Sequence, residues 1–144
     1  MKKVIYYVLM LPAVIALMSS CGGKKATAKM LDGAWKIASV TGEEIQMAET
    51  PFMEFDMNTH KVHGNAGCNI FNSTFTLSDS DPAALTIAPA AATLMACPDM
   101  DTESKIFKAL LEVASVKNGK TSETIVLADK DGKELLVLEE KSDK

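Results

Sequence analysis

Apolar and polar residues alternate with a period of two in several short stretches of this chain. Over residues 52–57, Met53, Phe55 and Met57 alternate with Glu54 and Asp56; over 71–77, Phe71, Phe75 and Leu77 alternate with Asn72, Thr74 and Thr76. Successive side chains of a strand point to opposite faces, so both stretches predict half-buried strands. Residues 35–40, 84–88, 91–96, 123–128 and 134–139 continue the series. A hairpin about Asn58 and Thr59 would set Met57 against His60, Asp56 against Lys61, Phe55 against Val62 and Glu54 against His63. That register puts opposite charges on one face and apolar groups on the other. Residues 129–133 predict a three-residue hairpin loop with Gly132 in the left-handed region and Asp129 facing Lys133 as a favourable charge pair. The strands it joins carry Ile125, Val126, Leu127 and Leu135, Leu136, Val137, Leu138, apolar on both faces, which predicts cover on both sides.

One stretch has a different period. Ile106, Phe107, Leu110, Leu111, Val113 and Ala114 recur three and four apart, which predicts a helix over 99–114. Asp99, Asp101 and Glu103 fall at its start, where unpaired backbone N–H groups favour negative charge. The predicted fold is mainly β (α+β): an antiparallel, barrel-like sheet of short strands with one α-helix packed against it.

The N-terminus has a separate character. Lys2 and Lys3 precede an apolar run from Val4 to Leu17 that is interrupted by Pro12. It is shorter than the roughly 20 residues a spanning helix needs, so it predicts a cleaved export signal over 1–20. Ser19 and Ser20 before Cys21 resemble a lipobox, which would make Cys21 the lipidated first residue; the alternative is an ordinary secretory signal. A small, polar and basic stretch then predicts a tether over 21–29, a single domain over 30–140 and a tail over 141–144.

Charge narrows the partners. The 15 basic residues, every one a lysine, stand against 19 acidic ones for a formal net charge of −4. Loss of Lys2 and Lys3 with the signal takes this to about minus six. Phosphate and base recognition lean on the guanidinium fork, so an acidic chain without arginine is not expected to bind nucleic acid.

The glycine-rich stretch HGNAGCNIF, residues 63–71, places Cys68 where a nucleophile could sit. A reactive cysteine needs a nearby base, and His60 and His63 are the only histidines; the hairpin register makes His63 a solvent-side partner of Glu54. A metal site fares no better. Two histidines three apart on a strand point to opposite faces, and the soft set Met95, Cys97 and Met100 is the remaining metal alternative. With Cys21 lipidated, Cys68 and Cys97 are left as one pair in an oxidising compartment, which favours a disulfide between them over two buried free thiols. Gly64 and Gly67 would then be permissive backbone positions, and Asn65 and Asn69 would bond their own turn. Trp35 is expected in the core.

Three motifs, Leu31-Asp32-Gly33-Ala34-Trp35, Gly64-Asn65-Ala66-Gly67-Cys68-Asn69-Ile70-Phe71 and Thr93-Leu94-Met95-Ala96-Cys97, together resemble the META domain, or HslJ-like, family. Members often carry a basic residue where this chain has Leu94 and a glycine where it has Ser73. The resemblance implies a β-rich barrel-like fold and an envelope or secreted protein linked to stress tolerance, motility or virulence, with no catalytic mechanism. The motif positions are Gly33, Trp35, Gly64, Gly67, Cys68, Asn69, Phe71, Thr93, Met95, Ala96 and Cys97.

The expected protein is therefore a non-enzymatic, monomeric envelope lipoprotein, anchored by Cys21 at the outer membrane facing the periplasm. It would bind an envelope partner or support the envelope under stress, with no metal or cofactor. The alternative is a carrier holding a small apolar ligand in the barrel interior, where Ala83, Ala84 and the residues 88–92 would leave space near the helix.

Overall fold

The computed structural model describes residues 25–141; the expected signal, Cys21 and residues 142–144 lie outside that range. A 3₁₀ turn, Ala28–Leu31, leads into β1 (Gly33–Val40) and the two-residue β2 (Glu43–Glu44). Then come β3 (Phe52–Asp56), β4 (Lys61–Asn65), β5 (Ile70–Leu77), β6 (Leu85–Ile87) and β7 (Ala91–Ala92). Helix α1 (Met100–Glu112) precedes β8 (Ser115–Asn118), β9 (Thr124–Ala128) and β10 (Glu134–Glu140). The sheet is antiparallel in the order β6-β5-β4-β3-β1-β10-β9-β8, with β2 beside β1 and β7 beside β5.

The two ends of that order meet. Ala84 bridges Ser115, the Leu85 N–H donates to the Ala114 carbonyl at 3.1 Å, and the Val116 N–H donates to that of Ala83 at 2.8 Å. The result is a nearly closed antiparallel barrel with one helix, the class that the alternation predicts. The period-2 residues Met53, Phe55, Phe71 and Phe75 are buried together with Leu127, Leu136 and Leu138. From α1, Ile106, Ala109 and Leu110 join this core, and the helix packs on β1, β6 and β10. Burying Ile106 and Leu110 contributes about 1.5–3 kcal/mol each. These buried side chains lie where the carrier alternative places its ligand. Trp35 is buried as expected, its indole N–H donating to the Leu31 carbonyl at 2.7 Å.

Several boundaries differ from expectation. The packed domain begins inside the expected tether, because Ala28 is buried and its N–H donates to the Pro82 carbonyl at 2.8 Å. The helix ends two residues early: Val113 turns extended (φ −60°, ψ 127°), and the chain enters β8, whose single apolar residue, Val116, carries no readable alternation. The expected strand over 91–96 shrinks to Ala91–Ala92. Asp129 and Lys133 do face each other through a backbone bond of 3.0 Å, and Gly132 is left-handed at φ 80°. The charge pair, however, is replaced by Asp129 Oδ1 accepting the N–H groups of Asp131 and Lys133, both at 2.9 Å.

The β3–β4 register is the expected one for Asp56–Lys61, Phe55–Val62 and Glu54–His63. Met57 and His60 do not pair; they belong to a four-residue loop with His60 at φ 53°. Asp56 organises that loop. Its Oδ2 accepts the Thr59 hydroxyl at 2.8 Å, and its Oδ1 accepts the N–H groups of Asn58 at 2.9 Å and Thr59 at 3.2 Å. These bonds, the Thr59 hydroxyl foremost, hold the carboxyl below the usual carboxylate range. A depressed folded pKa stabilises above the unfolded value, near pH 4, and that stabilisation is lost as pH falls through the folded value. Wild type should therefore lead Asp56→Asn in urea midpoint at neutral pH and lose that lead on acidification below about pH 4. A lead that persists unchanged under strong acid would rule out the carboxylate as the loop's anchor.

Candidate functional site

The site is assembled on the β4–β5 hairpin. Gly64 lies in β4 where a Cβ would overlap the Phe52 carbonyl oxygen and come within 2.8 Å of Met53 Cα, so its role is close strand approach. Residues 66–69 form the loop, with the Ala66 N–H donating to the Asn69 carbonyl at 3.0 Å. Gly67 adopts φ 112°, and its N–H donates to Asn65 Oδ1 at 2.6 Å. Next to it, Cys68 is joined by a disulfide to Cys97, their Cα atoms 6.4 Å apart. Asn65 thus bonds its own turn, as expected. Asn69 does not.

Asn69 reaches away from its turn, and its side chain is fully engaged. Oδ1 accepts the Thr93 hydroxyl and the Met95 N–H, both at 2.8 Å, while Nδ2 donates to the Met95 carbonyl at 3.2 Å and to Glu103 Oε1 at 2.6 Å. The Asn69 N–H donates to Glu103 Oε2 at 2.8 Å. Thr93 completes the join, accepting the Ile70 N–H at 3.1 Å. One asparagine thereby holds the glycine-rich loop, the segment after β7 and the first turn of α1 together. Asn69 is 1% exposed and Glu103 3%, and they are the buried polar residues among those described.

Beside this cluster, between α1 and the segment after β6, lies an apolar cleft of about 470 Å³. Ala88, Pro89, Ala92, Met100 and Phe107 contribute to its walls, and Asn69 and Glu103 line it. Its rim is unusually apolar for an exposed surface: Leu94 is 98% exposed, Met95 53% and Leu111 55%. Leu111, one of the apolar residues whose spacing predicts the helix, lies at the rim because the buried face of α1 centres on Ile106 and Leu110. The space foreseen near residues 88–92 is present but opens on the surface, and Ala83 and Ala84 do not line it.

The other candidate chemistry is dispersed. Cys68 and Cys97 are both held in the disulfide, so neither offers a thiolate for attack or for the Met95–Cys97–Met100 soft-metal set. His63 Nε2 sits 3.5 Å from Glu54 Oε2 on the half-exposed face, and His60 packs on Phe75 with ring centroids 5.4 Å apart. Among the described residues no three His, Cys, Asp or Glu side chains form a cluster able to hold a metal ion. None of their helices is long and apolar enough to cross a membrane.

The profile of the META domain matches residues 28–142. The chain belongs to the META domain family. Three solved structures have a similar fold. One, an NMR structure of a protein from Burkholderia xenovorans, is 18% identical with a TM-score of 0.60, covering 80% of this chain and 86% of its own. A second NMR structure is 23% identical with a TM-score of 0.57, over 79% of this chain and 94% of that one. The third, a crystal structure of a DUF4847 family protein from Bacteroides vulgatus, is 12% identical with a TM-score of 0.56, over 79% and 96%. At such identities the likeness shows the fold alone. No curated protein matches the sequence.

Within this META domain, two of the three motifs come together. Asn69 links the second to the third through Thr93 and Met95, the Cys68–Cys97 disulfide links them covalently, and Ala96 lies at the cleft. Phe71 lies under the site, its ring meeting Phe107 edge-on at 5.8 Å. Gly33 and Trp35 do not line the cleft; they belong to β1, where Gly33 takes φ 112°. The residue that sequence reasoning underrated is Glu103, read only as a helix-start charge. Its signal was present: Glu103, Ile106 and Leu110 are spaced three and four apart, which puts a carboxylate on the buried face of α1.

Proposed function

We infer that this META domain is a partner-binding module of the bacterial envelope that performs no chemical step of its own. The observation that carries this is the apolar cleft with its exposed rim of Leu94, Met95 and Leu111. Contiguous apolar surface beside a pocket is a mark of an interaction site, whereas scattered single residues are not. The export signal and lipobox support an anchor at Cys21 and a place at the outer membrane facing the periplasm, and the disulfide suits an oxidising compartment. The domain acts as a monomer that contributes to envelope integrity under stress by holding its partner through the cleft.

A photo-crosslinking amino acid at position 94, where the side chain is almost wholly in solvent, tests this in intact envelopes. We expect one discrete adduct from position 94, with its crosslink mapped to a single partner segment, and none from position 120, which lines a separate polar hollow. The same adduct should be lost when Cys21→Ser releases the chain from the membrane. Equal, diffuse labelling from both positions would overturn the reading.

A further inference from the structure

We propose that the cleft receives a basic side chain, lysine or arginine, presented by an apolar segment of a partner polypeptide, with Glu103 as its counter-charge. This rests on the partner-binding reading above and specifies the chemistry of that same surface.

Glu103 is the acidic residue that lines the cleft. Its carboxylate is buried, and its hydrogen-bond donors are the backbone N–H and side-chain amide of Asn69, both neutral. The ion pairs among the described residues are Lys36–Glu139, His63–Glu54 and Lys105–Glu43, so none of them serves Glu103. A carboxylate offers about four acceptor positions, of which two are filled here. Buried charges are ordinarily paired, because an isolated one is costly to remove from water. The first turn of α1 offsets part of that cost through its unpaired N–H groups. Among the described residues the carboxylate has no cationic partner, although it lines the cleft, and no described lysine lines the cleft with it.

The walls match the rest of a basic side chain. Lysine and arginine bury an aliphatic stem against apolar surface and carry the charge at its tip. Ala88, Ala92, Met100 and Phe107 supply that surface, leading to Asn69 and Glu103. The rim decides between a free amine and a polypeptide. A small amine seated in the cleft would leave Leu94 in water, whereas a chain crossing the cleft covers Leu94, Met95 and Leu111 with the residues on either side of its lysine. The net charge of the chain, −4, further favours a basic partner through long-range attraction.

The test uses the ¹⁵N-labelled full chain and three probes: a capped leucine–lysine–leucine peptide, its counterpart with norleucine in place of lysine, and hexylamine. The lysine peptide should shift the side-chain amide signal of Asn69 and the backbone signal of Leu111, and bind about tenfold or more tighter than the norleucine peptide. Glu103→Gln should reduce that preference to about twofold or less, and hexylamine should bind far more weakly than the lysine peptide. Equal binding of the two peptides to wild type, a comparison that needs no variant, would overturn the charge assignment and leave the partner-binding reading standing. Hexylamine binding as tightly as the lysine peptide would overturn the polypeptide occupant. Absence of any shift with the lysine peptide would overturn the proposal, while the crosslink from position 94 would still decide the reading on which it rests.

Discussion

Asn69→Ala is expected to destabilise the domain by about 4 kcal/mol or more, a fall in Tm of roughly 15 °C. The substitution deletes four side-chain bonds at once: those to the Thr93 hydroxyl, both backbone groups of Met95, and Glu103 Oε1. Glu103 would keep only the backbone N–H of residue 69, and losing a hydrogen bond to a charged group costs about 1.5–3 kcal/mol. Urea unfolding measures the loss. Asn65→Ala provides the contrast, since it removes only a turn bond to Gly67 and an exposed contact with Glu49, and should cost about 1 kcal/mol. A double-mutant cycle gives the mechanism: with Glu103→Leu already in place, Asn69→Ala should cost about 1–3 kcal/mol less. Additive losses would show that the two side chains do not act on each other.

The second large effect belongs to the disulfide. Cys68 and Cys97 lie 29 residues apart in sequence, and closing a loop of that size is worth about 3–4 kcal/mol by the chain-entropy estimate. Cys68→Ser combined with Cys97→Ser should lose that amount, and reducing agent should lower wild type to the same level while leaving the double variant unchanged. Thiol labelling of oxidised, denatured protein should detect neither cysteine. Stability that does not respond to reductant would exclude the bridge as a support of the fold. The bridge and Asn69 join the same two segments, so their losses should not add: once the 93–98 segment is free of one tie, the other holds less of it in place.

The strands were legible where their chemistry was one-sided. Met53, Phe55 and Val62 against Glu54, Lys61 and His63 allow a single register that keeps apolar groups together, and the structure has it. β8 was not legible, because Val116 is its only apolar residue and its place is fixed by Leu127 and Ala83, which come from other parts of the chain. The site was legible in its parts but not in its assembly. Asn69 has the look of a turn residue, and what diverts it is Glu103, 34 positions later, brought within reach by the packing of α1. The alanines around position 90 do signal open space; which side of the sheet that space is on depends on how far Phe55, Phe71 and Phe75 fill the interior, and hydrophobic periodicity does not report volume.

The place of β1 has a consequence for how this chain acquires its structure. β1 lies between β3 and β10, so the first strand takes the whole of one side's pairing from the very end of the domain; Lys36 and Glu139, which face each other, are 103 residues apart. Pairings of such long range require a large loop to close before they return any stabilisation, and they slow folding accordingly. A nascent chain can form the β3–β4–β5 meander early, yet β1 stays half-bonded until the final strand has been synthesised. Chains cut short before residue 134 would therefore expose one whole side of β1 as a free edge, a template for misassociation that the complete chain covers only in its last step.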